Sequence, residues 1–309
     1  MIKPKIGVLV CTARRPEMLK RCLSSLLPQT RSEHFDVELV VIENETPTRL
    51  DAEFWTDLQG VRTHHVVEPV PGICPARNAA LAFARQAGFD CIALIDDDEI
   101  AQPGWLEAHY KTLTHHEAMA THGPVYFDYE VPPPAWWTIS DPEPGIDGAA
   151  TSWAATNNNL LSCRIFDLPG FDASFDPELV HSGGDIDFFQ RLNAAGGKIV
   201  WSSNARVTEW TPLARLQMDR FLEREEGFAK DLVKTIRKRK GDFRVAWRFG
   251  LRLLRELPLI SRDRLRDLLR QVDDGGIARL RWRRRIAHCR GYWKGLWSPA
   301  RDIRKIDGA

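Results

Sequence analysis

Cys91-Ile-Ala-Leu-Ile-Asp96-Asp97-Asp98-Glu99 is the stretch on which the reading of this 309-residue chain turns. Its apolar run reads as a strand buried on both faces, and it ends abruptly in carboxylates. Adjacent carboxylates repel one another, so a cation or a hydrogen-bond network must offset the repulsion. If the strand continues, its side chains alternate, with Asp96 and Asp98 on one side and Asp97 on the other. Oxygen-only ligands suit Mg2+ or Mn2+, which take one or two protein carboxylates together with substrate phosphates. The plain alternative is an acidic strand-to-helix turn that caps a helix over 103–113.

Working outward, short apolar strands alternate with helical patterns through the first 127 residues. Strands are expected at Lys5–Cys11, Val37–Ile42 and Val61–Val67, with helices at Pro16–Leu27, Pro75–Ala87 and Gly104–Leu113. In the first helix Pro16 sits in the opening turn, and Met18, Leu19, Cys22, Leu23 and Leu26 recur at helical spacing. Continuous apolar strands separated by helices predict an α/β fold with a mostly parallel sheet covered on both faces. Right-handed crossovers then gather the strand C-terminal ends on one edge, where ligands bind. From Val131 to Gly145 the pattern breaks into VPPPAWWTISDPEPG, an irregular loop. Regular structure is expected to resume at Trp153–Cys163, with a helix over Asp185–Ala195 and a strand over Lys198–Trp201.

The net charge of +1 conceals a division along the chain. Residues 1–212 hold 16 Lys+Arg against 29 Asp+Glu, while 213–309 hold 27 against 13. The six cysteines are scattered, without a CxxC pair or zinc spacing, which fits reduced thiols in a cytosolic protein. No stretch has signal-peptide character or reaches the roughly 20 apolar residues of a spanning helix.

The order of motifs along the chain resembles the family 2 glycosyltransferases, which have the nucleotide-diphospho-sugar transferase fold called GT-A. The first strand leads into CTARRP, the second ends in VVIENE, and PGICPARNAAL directly precedes the Asp-Asp-Asp strand. The likeness continues through GFDASFDPELVHSGGDIDFFQRLNAAGGKIVW and covers roughly residues 5–210. The Pro-rich loop carrying Trp-Trp and the TEWTP stretch look most like bacterial exopolysaccharide or capsule glucosyltransferases. The resemblance implies a Rossmann-like GT-A catalytic domain over about 1–212, with its nucleotide-sugar half at about 1–127 and its acceptor half at about 128–212. Residues 213–309 then form an α-helical basic tail.

The resemblance places Thr12, Glu43 and Arg77 around the nucleotide, with Asp97 beside them. Glu43 stands where the family usually has an Asp that contacts the uracil ring, and Arg14 or Arg15 would either reach a phosphate or form a solvated basic turn. Asp96 would contact ribose or the metal, and Asp98 would bind Mn2+ or Mg2+ directly. Many members carry a metal-binding His just after the last strand; here the stretch is Val207-Thr208-Glu209-Trp210, so either Glu209 substitutes or the ion relies on Asp98, the diphosphate and waters. An inverting transfer needs a carboxylate to take the acceptor's proton, and the resemblance nominates Asp185. An acid commonly precedes that residue in the family, whereas here it is Gly184. The alternative is that Asp185 only favours its helix start.

Trp136, Trp137 and Trp153 are candidates for stacking on an acceptor sugar, against the ordinary alternative of core packing. Asn158, within Asn157-Asn158-Asn159, would bind sugar hydroxyls or serve a turn. His181 is assigned to an acceptor loop. In the tail, Phe243, Trp247, Leu251 and Leu254 share one helical stripe, and Arg244, Arg248, Arg252 and Arg255 the next. ARLRWRRRIAHCRGYWKGLW mixes Arg with aromatics in the same way. Cationic amphipathic helices lie on anionic lipid, so residues 243–297 are a candidate membrane surface; packing against the acidic domain is the alternative. No nucleic-acid recognition motif is present, and no nucleic-acid partner is expected.

The resulting expectation is a metal-dependent inverting hexosyltransferase. Its donor would be a nucleotide-diphospho-sugar, with UDP as the expected nucleotide, and its acceptor a glycan or lipid-linked glycan in polysaccharide synthesis. It would be cytoplasmic and peripheral on the inner face of the cell membrane. The competing readings are a sugar nucleotidyltransferase, disfavoured by the lack of Gly in CTARRP, and a non-catalytic glycan-binding protein on the same fold.

Overall fold

The computed structural model describes residues 3–58, 60–143, 145–179, 183–269 and 276–297. The chain begins β1 (Lys5–Thr12), α1 (Pro16–Leu26), β2 (Asp36–Glu43), β3 (Thr63–Val67), α2 (Ile73–Ala87) and β4 (Cys91–Asp96). It continues through β5 (Glu99–Ala101), α3 (Trp105–His115), β6 (Ala120–His122), β7 (Val125–Tyr129), β8 (Ala150–Thr151) and β9 (Asn159–Ser162). Then come α4 (Gly183–Ala194), β10 (Ile199–Trp201), β11 (Val207–Thr211), α5 (Met218–Lys240), α6 (Asp242–Leu269) and α7 (Ile277–Trp297).

The main sheet runs β3-β2-β1-β4-β9-β6-β10-β8. Strands β3, β2, β1 and β4 are mutually parallel, whereas β9 lies antiparallel between β4 and β6. A small second sheet, β5-β11-β7, stands beside it. The period of two along each central strand separates two cores. Ile6, Val8, Val10, Leu39, Val41, Ala93 and Ile95 face one core with Leu19, Leu23 and Trp105. Leu9, Val40, Ile42, Ile92 and Leu94 face the other with Ala80, Ala84, Phe188 and Phe189. The sheet is therefore covered on both sides, as its unbroken apolar strands require. Gly7 is the exception in β1: a Cβ there would lie 2.4 Å from the Phe89 ring, so the position admits no side chain without a shift.

The expected elements form, with differences at their edges. The regular structure anticipated over Trp153–Cys163 reduces to a strand at Asn159–Ser162, and β5, β7 and β11 carry no continuous apolar signal because they are short and belong to the side sheet. The Asp-Asp-Asp stretch also departs from simple alternation. β4 ends at Asp96, the chain turns at Asp97-Asp98, and β5 starts at Glu99. Facing is therefore set by the turn rather than by the pleat. All six cysteines are free, and burial pushes the thiols of Cys11, Cys74, Cys91 and Cys163 up to about 12.

The helices after β11 pack on one another and on the α/β unit. Val245 and Phe249 of α6 meet Ala229 and Val233 of α5 and Tyr292 of α7 in a buried cluster. The close approach of α7 to α5 depends on glycine: a Cβ on Gly291 would lie 2.3 Å from the Glu226 carbonyl oxygen. Much of the basic character is consumed inside this bundle. Arg283 pairs with Asp219, Arg284 with Glu225, Arg285 with Glu256 and Asp263, and Lys294 with Glu226. α5 also reaches the α/β unit, where Lys238 pairs with Asp176 and with Glu178. Part of the Arg-rich run of α7 is thus engaged within the bundle, while Arg279, Arg281 and Arg290 are exposed. The outer face of α6 differs: Trp247, Leu254 and Leu257 are each more than 60 % exposed, and Arg248, Arg252 and Arg255 are exposed with them. The side chains of Phe243 and Arg244 lie outside the described residues. No helix among the described residues is long and apolar enough to cross a membrane.

Candidate active site

The C-terminal ends of β1 and β4 lie side by side, with Cys11 in register with Asp96. A cleft of about 230 Å³ opens there, lined by Cys11 to Arg15, Asn44, Pro71 to Ile73, Ala76 and Asp97. On its wall, Thr12 Oγ1 donates to Asp97 Oδ2 at 2.8 Å. Arg15 Nη1 stands 3.4 Å from Asp97 Oδ1 and 3.3 Å from Asp98 Oδ2. Arg14 lines the same cleft with φ at +59°, and its backbone N–H donates to Glu45 Oε1 at 2.8 Å. Arg15, not Arg14, is therefore the residue that reaches the carboxylates. Asn44 shapes the opposite lip, donating to the Glu68 and Val70 carbonyls while accepting from Gly72 N–H.

The carboxylates are crowded. Burial pushes the Asp97 carboxyl up to about 6, helped by Asp98 and opposed by Arg15 and Thr12. Partial loss of solvent likewise raises the Asp96 carboxyl, against the pull of Arg77 and with the push of Asp98, Asp185 and Asp97. Burial and the neighbouring Asp96 also hold Glu99 well above its ordinary value. Its oxygens accept from Asp96 N–H at 3.1 Å and from Asn157 Nδ2 at 3.0 Å. Glu99 and Asn157 are supports beneath the Asp-Asp-Asp turn, a role that sequence reasoning assigned to neither.

Arg77, in the first turns of α2, is partly buried. Its Nη1 bonds Asp185 Oδ1, its Nη2 lies 3.9 Å from Asp96 Oδ1, and its guanidinium sits 5.6 Å from the Phe175 ring centroid. The neighbouring Asn78 clamps the Phe175 backbone in both directions, at 2.8 and 2.7 Å. Asp185 opens α4, and its second oxygen accepts from Thr156 N–H at 3.2 Å. Asp187, two residues on, instead pairs with Arg191 at 2.7 Å. The helix therefore commits only Asp185 to this side.

Glu209 on β11 and Asp98 are joined by a residue that the sequence did not single out. Arg215 Nη1 lies 2.5 Å from Glu209 Oε1, and its Nη2 bonds Asp98 Oδ2. The available signal was positional: a cation a few residues past the last strand, close to where the family carries a His. Arg215 also lies beyond the expected boundary at 212. Among the described residues, no group of three His, Cys, Asp or Glu side chains forms a ready-made cation cage. Asp98 and Glu209 are nonetheless hard oxygen donors already gathered around one positive charge. That donor chemistry fits Mg2+ or Mn2+ held partly by substrate phosphates.

Other expected site residues lie elsewhere. Glu43 is fully buried, with its oxygens taken by Thr48 Oγ1, Arg49 N–H at 2.6 Å and His65 Nε2 at 2.8 Å. It organises the turn after β2 and presents no free oxygen to a uracil ring. Asn158 is equally buried. Its Oδ1 accepts from Trp105 Nε1 and His109 Nε2, and its Nδ2 donates to the Pro124 and Ala205 carbonyls. Its hydrogen-bonding capacity is filled by the core, which removes it from the acceptor-binding set. Trp136 is 8 % exposed and packs with Phe221, Leu222 and Leu280, while Trp137 covers the same cluster and donates to Tyr129 OH at 3.1 Å. The Trp136 ring leaves no face for a sugar, whereas Trp137 is only partly buried. Trp153 is 52 % exposed, with its ring 5.9 Å from that of His122. His181 lies outside the described residues.

The comparisons with known proteins point one way. Among curated proteins, the succinoglycan biosynthesis protein ExoM of Rhizobium meliloti (strain 1021) is 28 % identical over 258 residues, covering 80 % of each chain. The O-antigen biosynthesis protein RfbC of Myxococcus xanthus is 26 % identical over 66 % of this chain, but over only 17 % of its own length. The glucosyl-dolichyl phosphate glucuronosyltransferase of Haloferax volcanii is 23 % identical over 299 residues, covering 89 % of this chain and 90 % of its own. The crystal structure of GalNAc-T7 with UDP, GalNAc and Mn2+ superposes with a TM-score of 0.54 at 12 % identity, over 75 % of this chain and 51 % of that one. That likeness shows the fold alone, the GT-A architecture with added C-terminal helices. The profile of glycosyl transferase family 2 matches residues 7–180. The chain thus belongs to glycosyl transferase family 2 and is a glycosyltransferase.

Proposed function

We propose that the chain is an inverting hexosyltransferase that uses a UDP-sugar with Mn2+ or Mg2+ and extends a lipid-linked glycan. The observation that carries this reading is the convergence of Asp96, Asp98 and Asp185 on one edge of the sheet, with Arg77 joining Asp96 to Asp185 and Arg215 joining Asp98 to Glu209. The cleft beside Thr12 and Arg15 would take the nucleoside, and the basic side chains around it would face the diphosphate. A divalent cation held by Asp98 and Glu209, with Asp96 adjacent, would supply positive charge to the departing diphosphate. Asp185 would accept the acceptor hydroxyl's proton on Oδ1 or Oδ2 as that oxygen attacks the anomeric carbon. Arg77 and the Thr156 N–H fix the orientation of its carboxylate, which is the positioning that a general base requires. Trp153 is the most exposed of the three aromatic candidates for acceptor stacking.

A thermal-shift screen of nucleotides with and without Mn2+ tests this. Stabilisation by UDP only with the ion is expected, and it should vanish in Asp98→Ala. Equal stabilisation by UDP without metal would remove the cation from the scheme. A nucleotidyltransferase would instead release pyrophosphate from a nucleoside triphosphate and a sugar phosphate.

The lipid-linked acceptor and the inner-membrane location rest on a different observation. The relative named for glucosyl-dolichyl phosphate carries a lipid-linked sugar in its name, and the exposed Trp and Leu of α6 lie beside exposed Arg. Interfacial helices on anionic lipid have this pattern. Full-length protein should sediment with phosphatidylglycerol vesicles and not with neutral ones, and Trp247→Glu with Leu254→Glu should abolish it. No sedimentation even at low salt would end the membrane reading.

A further inference from the structure

Arg215 bonds the same oxygen, Asp98 Oδ2, that Arg15 approaches at 3.3 Å, and its other arm holds Glu209. Two guanidinium groups therefore share one carboxylate oxygen. The Arg215 side chain is three-quarters buried, so the pair is little screened by water. Glu209 arrives on β11, and Arg215 follows in the short turn Leu213–Leu216 that leads into α5. The fork geometry of guanidinium suits this bridging between two carboxylates, which an ammonium point charge would not reproduce. A dication on Asp98 Oδ2 would stand against Arg215 at hydrogen-bonding range, where like charges repel strongly.

We propose that Arg215 is a built-in counter-ion which competes with a divalent cation for Asp98 and Glu209, so that the pairing seen here and cation binding exclude each other. This rests on the divalent-cation reading of the same site. The competing guanidinium keeps Asp98 and Glu209 from repelling when no cation is bound. It also raises the cation concentration needed in the absence of nucleotide, since only a cation brought with diphosphate gains enough oxygen ligands to displace it. Arg215 then becomes free to turn toward the diphosphate. It is a positioning residue: its first effect is exerted through Asp98 and Glu209.

Mn2+ binding to the whole protein, followed by the loss of the free-ion electron paramagnetic resonance signal, tests this without any turnover. Arg215→Gln should bind Mn2+ alone about tenfold or more tightly than the parent, because one competing charge has gone. Arg215→Lys should fall between them. Misfolding would weaken binding, so a gain cannot arise from it. Equal Mn2+ affinity in all three proteins, with UDP still strengthening it, would overturn the competition and leave the cation reading intact. Weaker binding in a normally melting Arg215→Gln would make Arg215 a support of the site and also overturn it. No Mn2+ binding by any of the three, with or without UDP, would defeat both readings.

Discussion

Replacing Trp136 with Ala separates two roles that the side chain cannot both fill. In the structure the indole is 8 % exposed, with ring centroids 5.8 Å from Trp137 and 5.8 Å from Phe221, both edge-on. Removing a buried Trp costs roughly 3–5 kcal/mol once the residual cavity is included. Each edge-to-face pair accounts for about 0.5–1.5 kcal/mol beyond buried area. The cavity would open between the Pro-rich loop and α5, where Phe221 and Leu222 lose their cover. For a chain of this size each kcal/mol moves the melting temperature by about 2 °C, so a fall of roughly 6–10 °C is expected. Calorimetry with limited proteolysis of the 131–145 loop checks this, and Trp136→Phe should recover about half of the loss. A melting point within about 1 °C of the parent, accompanied by a KM for acceptor raised tenfold or more, would refute the packing argument and return Trp136 to the acceptor site.

Three further outcomes are expected. Asp185→Asn keeps the size and the acceptor for Thr156 N–H, so Mn2+-dependent UDP binding should persist while UDP release in turnover falls about 100- to 10,000-fold; near-normal turnover would exclude Asp185 as the base. Burial pushes His109 down to about 3 and His122 down to about 4. The unfolded chain therefore binds protons below pH 6.5 that the folded chain refuses, and between about pH 6.5 and 4 each imidazole should remove about 1.4 kcal/mol of stability per pH unit. Urea midpoints measured across that range should decline less steeply in His109→Gln than in the parent. Gly7→Ala drives a methyl against the Phe89 ring and should cost about 1–3 kcal/mol in urea unfolding; the double variant with Phe89→Leu should regain part of it.

The fold was largely legible because its strongest signals are local. An unbroken apolar strand has nowhere to lie but inside a covered sheet, and Val8 and Leu9 divide between two cores by the pleat alone. The Asp-Asp-Asp turn and Asp185 announced themselves by charge at element ends. The short strands of the side sheet did not, since β5 and β11 owe their existence to each other as partners.

The sequence by itself determined which residue types stand at the ends of β1, β4 and α4. Periodicity and propensity act over a few residues, and those signals are carried by neighbours. Only the tertiary structure decided what those residues meet. Arg77 finds Asp185 across 108 positions and Arg215 finds Asp98 across 117, distances over which no local pattern speaks. The same holds for Asn158 and Trp136: each looks available in the sequence, and each is taken by partners that only the folded chain brings within reach. Burial and pairing belong to the packed chain, because desolvation and Coulomb energy depend on separation in space and not on separation in sequence.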